Sequence, residues 1–145
     1  MTGFIHRRRP AYADVDMQGV VFHGHWLAYF DDAMTRFIDW LGFPPKETFA
    51  GSFDVMVVKA TLDWSGPAGF DDEIEIAVQP VRLGTASFDL RYTASVAGNP
   101  VCVGVVTYVS ITPGTPRATP IPDDLRAKLE AQLPDIAGDT PAPPG

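Results

Sequence analysis

Apolar residues recur at intervals of three and four over residues 25–41, the period of one face of an α-helix. They are Trp26, Leu27, Phe30, Ala33, Met34, Phe37, Ile38 and Leu41. Gly42 and then Pro44 and Pro45 follow, and they favour an end to the helix because glycine suits a helix C-terminus and proline cannot continue it. The pattern predicts one long amphipathic helix with a strongly aromatic face.

Beyond residue 52 the pattern changes to alternation of period two. It predicts strands over residues 54–64, 72–82, 86–97 and 101–112. Turn-forming residues separate these runs at 65–69, 83–85 and 97–100, and such short links favour antiparallel hairpins. Residues 4–12 are interpreted as a first strand, and a short helix is predicted from Asp123 to Leu133.

One long helix and an antiparallel sheet predict an α+β domain. Because the helix is apolar over much of its circumference, we expect the sheet to curve around it. The domain is predicted to span residues 1–133. Residues 134–145 are rich in Pro and Ala, and they predict a disordered tail.

Charge and cysteine content narrow the possible functions. A net charge of -7 argues against a nucleic-acid binder, because backbone phosphates require a field of Lys and Arg. Cys102 is the single cysteine, so no disulfide within the chain and no cysteine cluster for zinc is expected. Residues 1–10 lack a signal-peptide apolar run, and no stretch approaches membrane-span length. We therefore expect a cytoplasmic protein without a membrane span.

Candidate chemistry lies just before the long helix. Asp14 and Asp16 precede Gly19, which suits a tight or positive-φ turn, and His23 lies near the helix start, where backbone N–H groups lack helical partners. On these residues alone, the favoured interpretation is that Asp14 and Asp16 are ordinary loop or helix-cap residues.

The segment from Tyr12 to His23 resembles the signature Tyr-x-Asp-x-Asp-x-x-Gly-Val-Val-Tyr/Phe-His of the 4-hydroxybenzoyl-CoA thioesterase family. The resemblance continues through the strand pattern to about Thr112. It implies a hot-dog fold, an antiparallel sheet wrapped around one long helix, and an active unit that is at least a dimer. It also implies an acyl-CoA or acyl-carrier-protein thioester as substrate. The chain departs from the commoner pattern at Val15, Trp26 and Met34, where Thr, Tyr and Arg are frequent.

The resemblance also implies roles for individual residues. Asp16 is expected to act at the thioester carbonyl, either as general base for water or as nucleophile. Gly19 shapes the turn, and the backbone N–H of His23 is the expected oxyanion donor. The His23 imidazole is either an orienting group or a structural hydrogen-bonding group. Trp26 is the candidate for contact with the acyl group.

A second group of residues is predicted to bind coenzyme A. Lys59 and Arg82 supply the cations, while Gly84, Thr85 and Ser87 supply backbone or hydroxyl donors for a phosphate. The competing interpretation is that both cations are exposed strand-edge charges.

Two acids on the helix, Asp31 and Asp32, form an alternative carboxylate site, although a solvated or dimer-facing role is the safer expectation for them. His6 and His25 are expected to be structural or exposed.

The sequence therefore predicts a thioester hydrolase acting on an acyl-CoA, with an aromatic or short-chain acyl group among the candidates. No separate cofactor and no metal are expected, and the protein is expected to be a homodimer or homotetramer. Two alternatives stay open: a hot-dog hydratase or dehydratase acting on an enoyl or 3-hydroxyacyl thioester, and a non-catalytic acyl-binding module.

Overall fold

Five antiparallel strands form one sheet in the computed structural model, which describes residues 3–134 apart from the side chains of residues 50 and 52. The strands are β1 (Phe4–Arg8), β2 (Asp54–Trp64), β3 (Ile74–Leu83), β4 (Ser87–Val96) and β5 (Asn99–Ile111). Their order across the sheet is β1-β3-β4-β5-β2. The four later strands match the predicted runs to within two residues. All but the first residue of the predicted tail lie outside the described residues.

The long helix α1 (His25–Trp40) packs against the inner face of the sheet. Its buried residues are Trp26, Tyr29, Phe30, Ala33, Met34, Phe37 and Ile38. They recur at the predicted helical spacing because burial of this face drives the packing. Gly42 has a φ of +108°, a conformation that ends the helix at little cost for a residue without a Cβ.

Two short helices complete the described part of the chain. A single turn, α2 (Pro45–Glu47), runs into a π-helical turn over Thr48–Ser52. Near the C-terminus, α3 (Asp123–Glu130) buries Leu125 and Leu129. Its start is the predicted one, and it ends three residues before Leu133.

The inner face of the sheet is set by cross-strand register. Phe88, Leu90 and Tyr92 of β4 lie opposite Tyr108, Val106 and Gly104 of β5. Directly opposed residues point to the same face, so all six lie under α1. Val103, Val105 and Val109 of β5 are therefore on the outer face, where they are half-buried, whereas Val101, at a register shift, is buried.

The first strand is shorter than predicted. β1 ends at Arg8, and residues 12–14 form a 3-10 turn instead of continuing the strand. Pro10 explains the break, because it has no N–H to donate to a ladder. Its carbonyl accepts instead from the amide of Asp71.

The connections lie at two ends of the sheet. The β2–β3 connection packs against the segment before α1, through a bridge between Val20 and Gly69. The β3–β4 hairpin lies at the other end. β4 has ten residues and so separates the two ends by about 30 Å. None of the helices among residues 3–134 has both the length and the apolar composition needed to cross a bilayer.

Candidate active site

A tight turn presents Asp16 between the 3-10 turn and α1. The Gly19 amide donates to the Asp16 carbonyl at 2.9 Å, and the Asp16 amide donates to the Val20 carbonyl at 2.9 Å. Gly19 has a φ of +79°, which is the positive value expected from the sequence. One carboxylate oxygen, Asp16 Oδ1, accepts from the Gln18 amide at 2.8 Å. The other oxygen, Oδ2, has no hydrogen-bond donor among residues 3–134.

Asp14 has a different task from Asp16. Its Oδ2 accepts from the Ala11 amide at 2.9 Å and from the Tyr29 hydroxyl at 2.8 Å. Its carbonyl accepts from the Phe22 amide at 3.0 Å. The hydrogen bond from Ala11, followed by that from Tyr29, lowers the pKa of the Asp14 carboxyl below its usual value. Asp14 therefore caps the 3-10 turn over Tyr12–Asp14, and it does not cap α1, whose N-cap is Gly24.

The start of α1 carries free backbone donors. The Phe22 carbonyl accepts from the His25 amide, and the His23 carbonyl accepts from the Trp26 amide. Within residues 3–134, no acceptor pairs with the amides of His23 and Gly24. Unpaired N–H groups at a helix start carry partial positive charge, so they suit an oxygen that becomes negative.

Asp16 and His23 share one cleft of about 220 Å³. Its walls include Trp26 and Trp64, and its floor includes the segment 66–68 that follows β2. Trp26 is almost fully buried, whereas Trp64 is half-exposed. Asp16 also borders a wider depression of about 730 Å³ rimmed by exposed aromatic and apolar side chains.

Trp64 was not among the residues that the sequence singled out. Trp64 is the last residue of a predicted strand, and the Gly66-Pro67 turn that follows also lines the cleft. The position of Trp64 two residues before this turn is the one signal in the sequence that suggests a role in the site.

The residues predicted to bind coenzyme A lie away from this cleft within one chain. Gly84, Thr85 and Ser87 belong to the β3–β4 hairpin, at the opposite end of the sheet. Arg82 is bound there by Asp89, through two hydrogen bonds of 3.0 Å, and it also donates to Ser87 Oγ at 3.0 Å.

Lys59 lies on the outer face of β2, beyond the same cluster. It is opposite Thr107, which is itself opposite Asp89. A cation that the sequence did not single out joins this hairpin, because Arg126 of α3 donates to the carbonyls of Gly84 and Thr85.

The alternative carboxylates on α1 separate into two environments. Asp32 Oδ2 accepts from Arg8 Nη1 at 3.2 Å and lies 3.1 Å from His6 Nε2, so this carboxylate ties α1 to β1. Asp31 makes no such pair within the described residues, and desolvation raises its pKa. His25 contacts the Phe22 ring edge to face. No group of three or more potential metal ligands is found among residues 3–134.

Comparison with known proteins identifies the family to which the chain belongs. Residues 11–129 match the Thioesterase-like superfamily, a span that includes the Asp16 turn, α1 and strands β2–β5. The chain belongs to the Thioesterase-like superfamily.

Similar proteins include named thioesterases. The 1,4-dihydroxy-2-naphthoyl-CoA hydrolase of Thermosynechococcus vestitus is 27% identical over 136 residues, which cover 92% of each chain. The solved structure of a gentisyl-coenzyme A thioesterase is 25% identical, with a TM-score of 0.81 over 87% of this chain and 99% of that one. A thioesterase-superfamily structure from Jannaschia sp. CCS1 has a TM-score of 0.86 at 23% identity, covering 92% of this chain and 95% of that one; it supports the fold.

These matches confirm the predicted hot-dog fold and the prediction of a thioester hydrolase. The narrower 4-hydroxybenzoyl-CoA branch stays a prediction, as do the oligomeric state and the cytoplasmic location.

Proposed function

We propose that this superfamily member hydrolyses an acyl-CoA thioester to a carboxylic acid and coenzyme A at the Asp16 cleft. Hydrolysis requires a group that activates water or attacks the carbonyl, and a donor for the developing oxyanion. The observation that carries the proposal is that one cleft is lined by both residues that bear such groups. Among residues 3–134, the Asp16 carboxylate has one oxygen without a donor, and the His23 amide has no acceptor.

The reaction uses these two groups together. As general base, Asp16 takes a proton from water while the water oxygen bonds to the thioester carbon. The carbonyl oxygen becomes negative and accepts from the His23 amide. The tetrahedral intermediate then collapses, the C–S bond breaks, and the CoA sulfur leaves with the proton. In the nucleophilic route, the Asp16 carboxylate bonds to the thioester carbon, the C–S bond breaks and CoA leaves as the thiolate, which takes up a proton; water then hydrolyses the mixed anhydride and regenerates Asp16. Both routes use the same two groups.

An aromatic acyl group fits the cleft best. Trp26 and Trp64 both line it, and aromatic rings pack favourably against one another in offset or edge-to-face arrangements. The relatives named above act, by their names, on naphthoyl and gentisyl thioesters, which are aromatic. We therefore place aromatic acyl-CoAs ahead of short-chain and long-chain ones.

A panel of acyl-CoAs assayed for free thiol tests the reaction. Aromatic, short-chain and long-chain thioesters are each incubated with the protein, and release of CoA thiol is followed beside the absorbance of an enoyl-CoA. Thiol release from at least one acyl-CoA supports the proposal. Loss of enoyl absorbance without thiol would indicate a hydratase, and tight binding without either change would indicate an acyl-binding module; both contradict the proposal.

We also propose that the working unit contains two copies of the chain joined along β2. This strand lies at an edge of the sheet and has eleven residues, of which Val57 and Val58 are half-exposed. A long apolar edge strand is a ready template for pairing. Antiparallel pairing of β2 with its copy is self-complementary, as a two-fold dimer requires. A tetramer would add a second interface to this one.

Such pairing explains how the hairpin residues serve the site. A two-fold axis across β2 reverses the strand direction, so the β3–β4 hairpin of one copy comes to the same end as the Asp16 cleft of the other. Neighbouring strands in a sheet are about 4.8 Å apart, so the two β2 strands of such a dimer would lie at this distance from one another. We propose that Lys59, Arg82, Gly84, Thr85 and Ser87 of one copy bind the phosphates of coenzyme A whose thioester lies in the other copy.

A further inference from the structure

Asp14 ties the Asp16 turn to the long helix through a side-chain hydrogen bond. Its carboxylate holds the amide of Ala11, three residues before it, and its carbonyl holds the amide of Phe22 after the turn. The chain entering the turn and the chain leaving it are thus both fastened to this residue.

Tyr29 supplies the connection from Asp14 to the core. It lies on α1, is 1% exposed, and donates its hydroxyl to Asp14 Oδ2 at 2.8 Å. The ring is fixed on both sides: Trp26 meets it edge to face at 5.6 Å, and the Arg8 guanidinium lies 4.3 Å from its centroid. A buried hydroxyl held by a packed ring has one position available to it.

We propose that Tyr29 and Asp14 act as a positioning pair, which holds the Asp16 carboxylate and the His23 amide in register across the cleft. The inference rests on the proposed function, in which those two groups act on one thioester. Neither member of the pair lines the cleft, so the pair acts through the backbone of the turn. A small shift of a reacting group lowers the rate more than it lowers affinity.

The protonation states support the assignment of donor and acceptor. Burial, followed by the hydrogen bond to Asp14, raises the pKa of Tyr29 to about 12. The hydrogen bonds from Ala11 and Tyr29 lower the pKa of Asp14. At neutral pH the hydroxyl is therefore always the donor and the carboxylate always the acceptor.

The first variant is Tyr29→Phe, which removes the hydroxyl and keeps the ring. We expect kcat to fall about tenfold with KM nearly unchanged. We also expect faster hydrogen exchange in the peptide that covers the turn, because the Gln18 and Gly19 amides depend on the position of Asp16. Tyr108→Phe is the matched control: its hydroxyl is buried and bonds to that of Tyr92, with no connection to the turn.

Asp14 provides a rescue experiment. Both hydrogen bonds end on one oxygen, Oδ2, so Asp14→Asn can keep them through its amide carbonyl, whereas Asp14→Ala loses them. We expect Asn to retain kcat within about threefold and Ala to lose it as Tyr29→Phe does. In the Ala background, Tyr29→Phe should cost little more, since the partner is already gone.

The outcomes separate this proposal from the proposed function. If the wild-type protein releases thiol and Tyr29→Phe alters kcat and exchange no more than Tyr108→Phe does, the positioning pair is wrong while the thioesterase assignment stands. If the wild-type protein hydrolyses no thioester, the exchange measurement still decides: unchanged exchange at the turn in Tyr29→Phe overturns the positioning role, and faster exchange in this variant alone supports it.

Discussion

Close packing between α1 and the sheet depends on a single missing side chain. A Cβ on Gly104 would lie 2.6 Å from Phe30 Cε2 and 2.9 Å from Leu62 Cδ2. The Phe30 ring is fully buried and stacks on Tyr92 with centroids 4.8 Å apart. It therefore cannot move aside without disturbing the ring beneath it, and β5 requires glycine at this point for steric reasons.

Replacement of Gly104 by Ala should therefore destabilise the fold. We expect the free energy of unfolding to fall by about 1–3 kcal/mol, the usual cost of overpacking a core, as measured by urea denaturation. Gly51→Ala is the control, because a Cβ there meets no atom within 4 Å. Equal stability of the two variants would show that α1 can lift from the sheet at no cost.

Among the helices and strands, features that depend on local sequence patterns could be predicted, whereas contacts between distant residues could not. The helix and four strands followed from periodicity, and the positive φ of Gly19 followed from its place in the motif. The hydroxyl contact from Tyr29 to Asp14 did not, because the aromatic spacing of α1 reads equally well as plain core packing. The inner face of β5 also depends on register: Val103, Val105 and Val109 lie on its outer face, while Gly104, Val106 and Tyr108 face the core.

The β3–β4 hairpin is a second example of a position that the sequence pattern could not predict. Its residues fit a phosphate site by type, yet they lie about 30 Å from the Asp16 end of the same sheet. Sequence spacing carries no information about which copy of the chain completes a site. The proposed pairing of two β2 edges would resolve the separation, since it would bring opposite ends of different copies together.

Mixing two inactive variants tests this pairing. Asp16→Asn removes the carboxylate, and a Lys59→Ala/Arg82→Ala double variant removes the two cations predicted to bind coenzyme A. If each site takes its carboxylate from one copy and its cations from the other, mixed dimers contain one intact site. After unfolding and refolding together, random pairing should restore about a quarter of wild-type turnover. No recovery, with mixed dimers shown to be present by mass spectrometry, would place all these residues in one chain.

The core of the molecule contains a thiol and several tyrosine hydroxyls that must stay protonated. Burial raises the pKa of Cys102 to about 12 from an ordinary value of 9.0, and that of Tyr29 to about 12 from 10.0. Burial also raises the pKa of Tyr92 and of Tyr108. Each of these groups has a higher pKa in the folded protein than in the unfolded chain. Its contribution to stability is therefore complete at pH values below the unfolded-state pKa, and it is lost as the pH rises towards the folded-state pKa.

The protein should therefore lose stability steeply in alkali. We expect the free energy of unfolding to fall as pH rises from about 9 to 12, with tyrosinate absorbance of the buried rings appearing together with unfolding. Urea denaturation at a series of pH values gives the first quantity, and an alkaline spectral titration gives the second. Buried tyrosines that ionise near pH 10 while the fold persists would contradict the closed packing described here.

The Asp16 carboxylate is proposed to perform the chemistry, and a pair of matched variants tests this role. Asp16→Asn keeps the shape of the side chain and removes its charge, while Asp39→Asn makes the same change at the exposed end of α1, where Asp39 pairs with Arg36. With the best acyl-CoA of the panel, kcat/KM for thiol release should fall about 100-fold or more in Asp16→Asn, the usual contribution of a general base, and stay near wild type in Asp39→Asn. Undiminished thiol release by a folded Asp16→Asn variant would show that hydrolysis does not depend on this carboxylate.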